Sequence, residues 1–407
     1  MKLGLLIQLG WRNLWRHRRR NGMLCLAVAV GVGSLVFIDA MLRGWQGDMV
    51  EDVIKNLTGN IKVHARGYRD DPSVDYAFEL PPGLAAMLDG DSEARWTERV
   101  MIPAVIMSER ETRGVSLVGV APGEEANLSF LGDVAIEGEG LKSEDDTRIV
   151  IGVELARQLE TRPGKRVVMM TQGADNTTRE AGMRVAGVYD AEGTGLEKIF
   201  AFTGRAALQA LLDTDGVTEV SVRVPAGDEG TEQKLLREIE GALPDYDVAD
   251  WKTLQPQAAA MTEYADMGVW IWYAIMLIAL AFGLMNTLIN AVLERVRELG
   301  LLHALGMRGG GIVMQVMIES LLIVGTGMIV GVLLGLALVE IFADGIDLTQ
   351  WAEGMEFFSI RAVLVPSLQV ADIVTICVLV MALGFVGSLY PAWRAVRLDP
   401  LDAMHRH

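Results

Sequence analysis

Four long apolar runs decide what this 407-residue chain can fold into. The longest, Met267 to Leu293, holds twenty-seven residues without a formal charge, and Gly309 to Val339 is interrupted by Glu319 alone. Shorter runs lie at about Met23 to Met41 and Ile373 to Tyr390. About 20 apolar residues in a helix cross the ~30 Å hydrocarbon core of a bilayer, where a segment must satisfy its own backbone hydrogen bonds. The runs therefore predict four transmembrane helices in a 1+3 order, at 23–41, 266–293, 309–339 and 373–391. Residues 42–265 carry no such run and are expected to form one soluble domain inserted between the first and second spans.

Charge divides along the same line. Residues 43–265 hold 23 Lys and Arg against 40 Asp and Glu, a net of −17, whereas the remainder holds 13 of each. Such a balance argues against nucleic acid, which needs a basic face. Arg12, Arg16, Arg18, Arg19 and Arg20, with Trp11 and Trp15, make residues 1–22 an amphipathic interfacial helix that keeps the N-terminus inside. No small-x-small cleavage site follows the first run, so it reads as an uncleaved anchor. Asp39 sits near its outer end, where a carboxylate reaches water. Trp270, Trp272 and Tyr273 mark the outer interface of the second span, and the loop 340–372 carries Asp344, Asp347, Glu353 and Glu356 against Arg361 alone. The fourth span returns to a cytoplasmic tail, 392–407, at Arg394 and Arg397. The soluble domain is thus expected outside and both termini inside.

Within that domain a helix leads into residues 59–68, where alternating Ile61, Val63 and Ala65 predict a strand with His64 on its surface. Further strands are expected at 100–107, 115–120, 148–151, 166–171, 183–189, 199–202 and 218–224. Helices are expected at 153–159, 205–212 and 231–242, the last stopped by Pro244. The domain is α+β, with a strand-rich lobe at 105–195.

The second and third spans are joined by residues 294–308, a short charged helix. Glu294 and Glu298 stand four apart and repel each other by a few tenths of a kcal/mol. Either they are solvated beside Arg295 and Arg297, or a cationic partner outside the chain offsets them. Gly309-Gly310-Gly311 is expected to break the helix before the third span. Inside that span Gly327, Gly331 and Gly335 recur every four residues, a smooth stripe that suits close packing within the protomer or in a dimer. Glu319, toward the inner side, is expected to have a structural partner.

Glu294, Arg295, Arg297, Glu298, Gly300, Leu302, Ala304, Leu305 and Gly306 match the pattern E-R-x-R-E-x-G-x-L-x-A-L-G position by position. Tyr390, Pro391, Ala392, Arg394, Ala395, Arg397, Asp399 and Pro400 match a closing Y-P-A-x-R-A-x-R-x-D-P. On these motifs the chain resembles the FtsX-like, MacB-type permeases of mechanotransmission (type VII) ABC transporters. The run at 59–68 resembles G-x-I-x-V-H-x-x-G-Y of lipoprotein-releasing (Lol) permeases. The resemblance implies a coupling helix in which Glu294, Arg295, Glu298, Leu299, Gly300, Leu302, Ala304, Leu305 and Gly306 meet a separate ABC ATPase, present in two copies and holding the ATP and Mg. It also implies a second permease, identical or homologous, a periplasmic carrier, and lipid or lipoprotein cargo at the bacterial inner membrane. Efflux, or transport-free control of periplasmic enzymes, are the other functions it allows.

The chain itself promises no catalysis. It has no G-x-x-x-x-G-K-[ST] loop, since Gly164-Lys165-Arg166 lacks the upstream glycine and the hydroxyl residue, and no H-E-x-x-H or C-x-x-C pattern. Cys25 and Cys377 fall in spans, where packing is the expected role. A non-catalytic membrane subunit without cofactor or metal of its own is expected.

Overall fold

The computed structural model describes residues 12, 18–90, 94–126, 128–175, 177–191, 195–225, 229–294, 301, 307–347 and 363–397. Most of the expected interfacial helix 1–22, most of the coupling stretch beyond Glu294, the middle of the loop 340–372 and the tail after Arg397 lie outside them. The chain divides into two compact units, Met1–Asp48 with Thr262–His407, and Met49–Met261.

Among the described residues the α-helices are, in chain order, α1 (Arg18–Val53), α2 (Pro82–Gly90), α3 (Pro122–Glu125), α4 (Val153–Gln158), α5 (Arg205–Leu212), α6 (Glu229–Ala242), α7 (Trp251–Leu254), α8 (Pro256–Glu294), α9 (Gly309–Ile341) and α10 (Val370–Arg397). Among the described residues four helices are long and apolar enough to cross a membrane: Asn21–Thr58, Pro256–Asn290, Gly309–Ile341 and Val370–Trp393. They outrun the apolar stretches because helix-forming residues continue past them. Pro256 at the first position suits a helix start, and the alanines after it favour propagation, so α8 begins ahead of Asp266. The expected break at Gly309-Gly310-Gly311 falls one residue earlier: Arg308 is extended (ψ 144°), and the three glycines form the first turn of α9. In the helical unit Val28, Val32, Leu35 and Val36 of α1 pack with Val269, Tyr273 and Leu284 of α8, Val324 of α9, and Ile376 and Val380 of α10.

Among its described residues the second unit has ten strands: β1 (Ile61–Ala65), β2 (Arg95–Met107), β3 (Thr112–Val120), β4 (Ala135–Gly138), β5 (Ile149–Gly152), β6 (Arg166–Gln172), β7 (Thr178–Asp190), β8 (Phe200–Gly204), β9 (Glu219–Arg223) and β10 (Tyr246–Asp250). They run in the order β10-β1-β9-β2-β3-β8-β5-β7-β4, mixed in direction, since β3 pairs parallel with β8 and β5 parallel with β7. Strand β6 joins β2 to β7, so β2, β3, β8, β5, β7 and β6 close into a six-stranded ring. The long β2 belongs to both parts: Arg95–Arg99 pair with β9, and Val100–Met107 pair with β3. Closure removes edges that would otherwise be open to aggregation.

Strand β1 lies between β10 and β9 and is covered on both faces, with Ile61, Lys62, Val63 and His64 all buried. This corrects the surface placement of His64. Its ring is 3% exposed and stacks on Tyr68 at 5.0 Å between centroids. Alternation separates core from solvent only where one face is wet.

Candidate functional site

The predicted site residues have different fates. Glu294 is the last residue of α8, Leu301 is an exposed helical residue, and Arg295, Glu298, Leu299, Gly300, Leu302, Ala304, Leu305 and Gly306 lie outside the described residues. Gly327, Gly331 and Gly335 are buried against α1. A Cβ placed on Gly327 would stand 2.7 Å from Val28 Cβ, one on Gly331 2.7 Å from Val32 Cβ and Ala29 O, and one on Gly335 2.7 Å from Val36 Cβ. Each glycine thus seats one valine. Both series advance by four residues in the same sense, so α1 and α9 run parallel through the helical unit. Without Cβ atoms on α9 the two backbones come close enough for continuous van der Waals contact, the main source of association where no hydrophobic effect acts.

Three residues after Val36, a polar layer begins. Asp39 is 1% exposed and accepts a hydrogen bond of 2.6 Å from the Tyr273 hydroxyl of α8. This corrects the water-facing reading of Asp39: the helices bury it. One turn on, Arg43 donates through Nε and Nη2 to both oxygens of Asp372 on α10, at 2.9 and 3.1 Å, and through Nη1 to Asp266 on α8 at 2.8 Å. Gln46 donates to the same Asp266 oxygen. Three helices are therefore joined at one level by a planar guanidinium, whose fork matches a carboxylate in two directions. Glu319, also buried, sits nearer the start of α9, eight residues before Gly327.

The second unit holds a cluster that sequence reasoning missed. Arg99 on β2 is fully buried. Its Nε and Nη2 donate to the two oxygens of Glu125 on α3 at 2.6 and 3.0 Å, and Nη1 donates to Glu219 Oε1 at 3.1 Å and to the Leu57 carbonyl at 2.9 Å. Lys62 donates to the other Glu219 oxygen at 2.8 Å, with His64 Nε2 at 3.6 Å from it. Burial pushes the Glu219 carboxyl up, but Lys62, His64 and Arg99 outweigh it and hold it well below the ordinary range. Arg99 meets Glu125 across 26 residues and Glu219 across 120, separations that no local pattern in the sequence reveals. Among the described residues no three His, Cys, Asp or Glu side chains gather into a metal site.

Residues 22–240 match the model of a MacB-like periplasmic core domain, and residues 270–400 that of an FtsX-like permease C-terminal domain. The chain is 23% identical to the lipoprotein-releasing system transmembrane protein LolC of Xylella fastidiosa (strain Temecula1), over 98% of each chain. It is 24% identical to LolC of Neisseria meningitidis serogroup B, over 96% of each. The macrolide export ATP-binding/permease protein MacB of Bordetella avium is 24% identical over 96% of this chain but 58% of its own length.

Proposed function

The chain belongs to the family defined by the MacB-like periplasmic core domain and the FtsX-like permease C-terminal domain, and from that membership we propose that it is the permease subunit that couples ATP hydrolysis in a separate ATPase to movement of its sheet domain, releasing lipoproteins from the inner membrane. The observation that carries the cargo is the match to LolC from end to end, where the MacB match leaves over two fifths of that relative unaligned. In this reading the four long helices are the spans, the unit Met49–Met261 is periplasmic, and both termini are cytoplasmic. The parallel run of α1 and α9 supports it, because the first and third of four successive spans must point the same way.

The chain acts without chemistry of its own. Glu294, Arg295 and Glu298 meet a groove on the ATPase, which holds ATP and Mg, while Leu299, Leu302 and Leu305 supply apolar contacts. Two ATPase copies and a second permease complete the assembly, and a periplasmic carrier receives the cargo. The MacB relatives favour a second reading, export of a small molecule by the same machinery. Reconstitution decides between them: vesicles holding this chain, its ATPase and a lipoprotein should release the lipoprotein only with ATP. Release without ATP dependence, or transport of a macrolide in its place, would overturn the proposal.

A further inference from the structure

We infer that Arg99 is the positioning residue that fixes the C-terminal end of α1 on the sheet, so that a displacement arriving along α1 enters the sheet through its guanidinium. The inference deepens the proposed function and rests on its premise that ATP hydrolysis moves this domain.

Beyond Val53 the helix ends in a single wide turn, Ile54–Thr58. There Asn56 leaves helical geometry and Leu57 takes φ 68°, ψ −4°. This left-handed conformation is uncommon for a residue other than glycine, asparagine or aspartate and persists where surroundings hold it. Two things hold Leu57. Its side chain is 2% exposed and packs in a cluster with Val118, Val120 and Phe202, and its carbonyl accepts from Arg99. Gly59 then closes the turn at φ 67°, where a Cβ would meet Ser221 Oγ at 2.4 Å.

The same guanidinium grips Glu125 on α3 and Glu219 on β9, spending four of its five N–H donors. One side chain on β2 thus ties the end of α1 to three elements, and Glu219 extends the tie to Lys62 on β1. Burying so many charges is costly, and apolar residues would fill the space more cheaply. What they could not do is fix a carbonyl in distance and direction, which a planar fork does. Two ion pairs beside this segment, Glu51 with Arg223 and Lys55 with Asp133, reach solvent and yield more easily.

The test uses the full-length protein with its ATPase in lipid vesicles carrying a lipoprotein, comparing wild type, Arg99→Met and Arg99→Lys. Hydrogen exchange is read at residues 54–60 and at β8, together with lipoprotein released per ATP hydrolysed. Both variants should raise exchange at 54–60 about tenfold while β8 stays protected, as expected of a local opening. Release per ATP should fall at least about fivefold as turnover continues, whereas a loss of folded protein lowers both together. Should Arg99→Met also lose protection at β8, Arg99→Lys, which keeps the charge but not the fork, carries the test. Wild-type exchange at 54–60, or loosened exchange with normal release per ATP, overturns the inference. A wild type that releases nothing with ATP overturns the proposed function instead, and exchange alone then judges the anchoring.

Discussion

Gly331→Ala tests the seam between α1 and α9 with a single methyl group. In the helical unit that methyl would lie 2.7 Å from both Val32 Cβ and Ala29 O, and 3.1 Å from Ala29 Cα. Carbon atoms rest at about 3.5–4.0 Å, so the helices must part by nearly 1 Å or α9 must turn. None of the three atoms is the free end of a flexible side chain. Overpacking of this kind costs about 1–3 kcal/mol. Against it, alanine in a helix interior is better than glycine by about 1 kcal/mol. Gly325, on the same helix, supplies the control, because a Cβ there meets nothing within 4 Å. Gly325→Ala should therefore stabilise by about 1 kcal/mol, and the gap between the two variants should equal the clash alone, about 1–3 kcal/mol. Unfolding of the purified full-length protein in one detergent, by heat or denaturant, measures that gap. If Gly331→Ala is as stable as Gly325→Ala, the backbones are not in contact and the seam does not exist.

The remaining expectations are briefer. Tyr273→Phe leaves Asp39 buried without its donor and should cost about 1.5–3 kcal/mol, the range for a hydrogen bond to a charged group, read by the same unfolding assay. An unchanged transition would mean that Asp39 is satisfied elsewhere. Reversing Glu294 and Glu298 to Lys should abolish co-purification of the ATPase, since charge repulsion at a desolvated interface costs several kcal/mol, while the sheet domain keeps its fold. Normal recovery of the ATPase would mean that the glutamates are solvated. The Glu219 carboxyl is held below the ordinary 4.5, so the folded state binds its proton less tightly than the unfolded chain. Its contribution is full above about pH 4.5 and is lost as pH falls through the folded value. Glu219→Gln should therefore be less stable than wild type at pH 7, with the difference shrinking below about pH 4.5. A difference that holds constant across that range would show that the carboxylate charge is not what stabilises the cluster.

The sequence announces its architecture where a single segment carries the signal. The four apolar runs, the Ile61, Val63, Ala65 strand and the helix Arg205–Leu212 all do so. Strands β4 and β10 do not, because Ala-Ile-Glu-Gly and Tyr-Asp-Val-Ala-Asp are short edge strands with too few apolar residues to carry a strand pattern by themselves. His64 misleads for the opposite reason, since β1 is buried on both faces. At the candidate sites the spacing of Gly327, Gly331 and Gly335 is visible in the chain, but the valines that fill it are not. Asp39 finds Tyr273 at a separation of 234 residues, and Arg99 finds Glu219 at 120. A charge with a distant partner looks like any exposed charge until the fold brings the two together.

The seam also sets a schedule for making the protein. Each valine of α1 stands 299 positions before the glycine that receives it. At roughly 5–20 residues per second the ribosome needs about 15–60 s to cover that distance, so α1 waits in the bilayer without α9. Its valine ridge is at ease among lipid tails. Asp39 is not, but it lies at the end of the apolar run, where water can hold it until Tyr273 is synthesised. A chain halted before residue 327 holds the valine ridge of α1 but none of the three glycines that receive it.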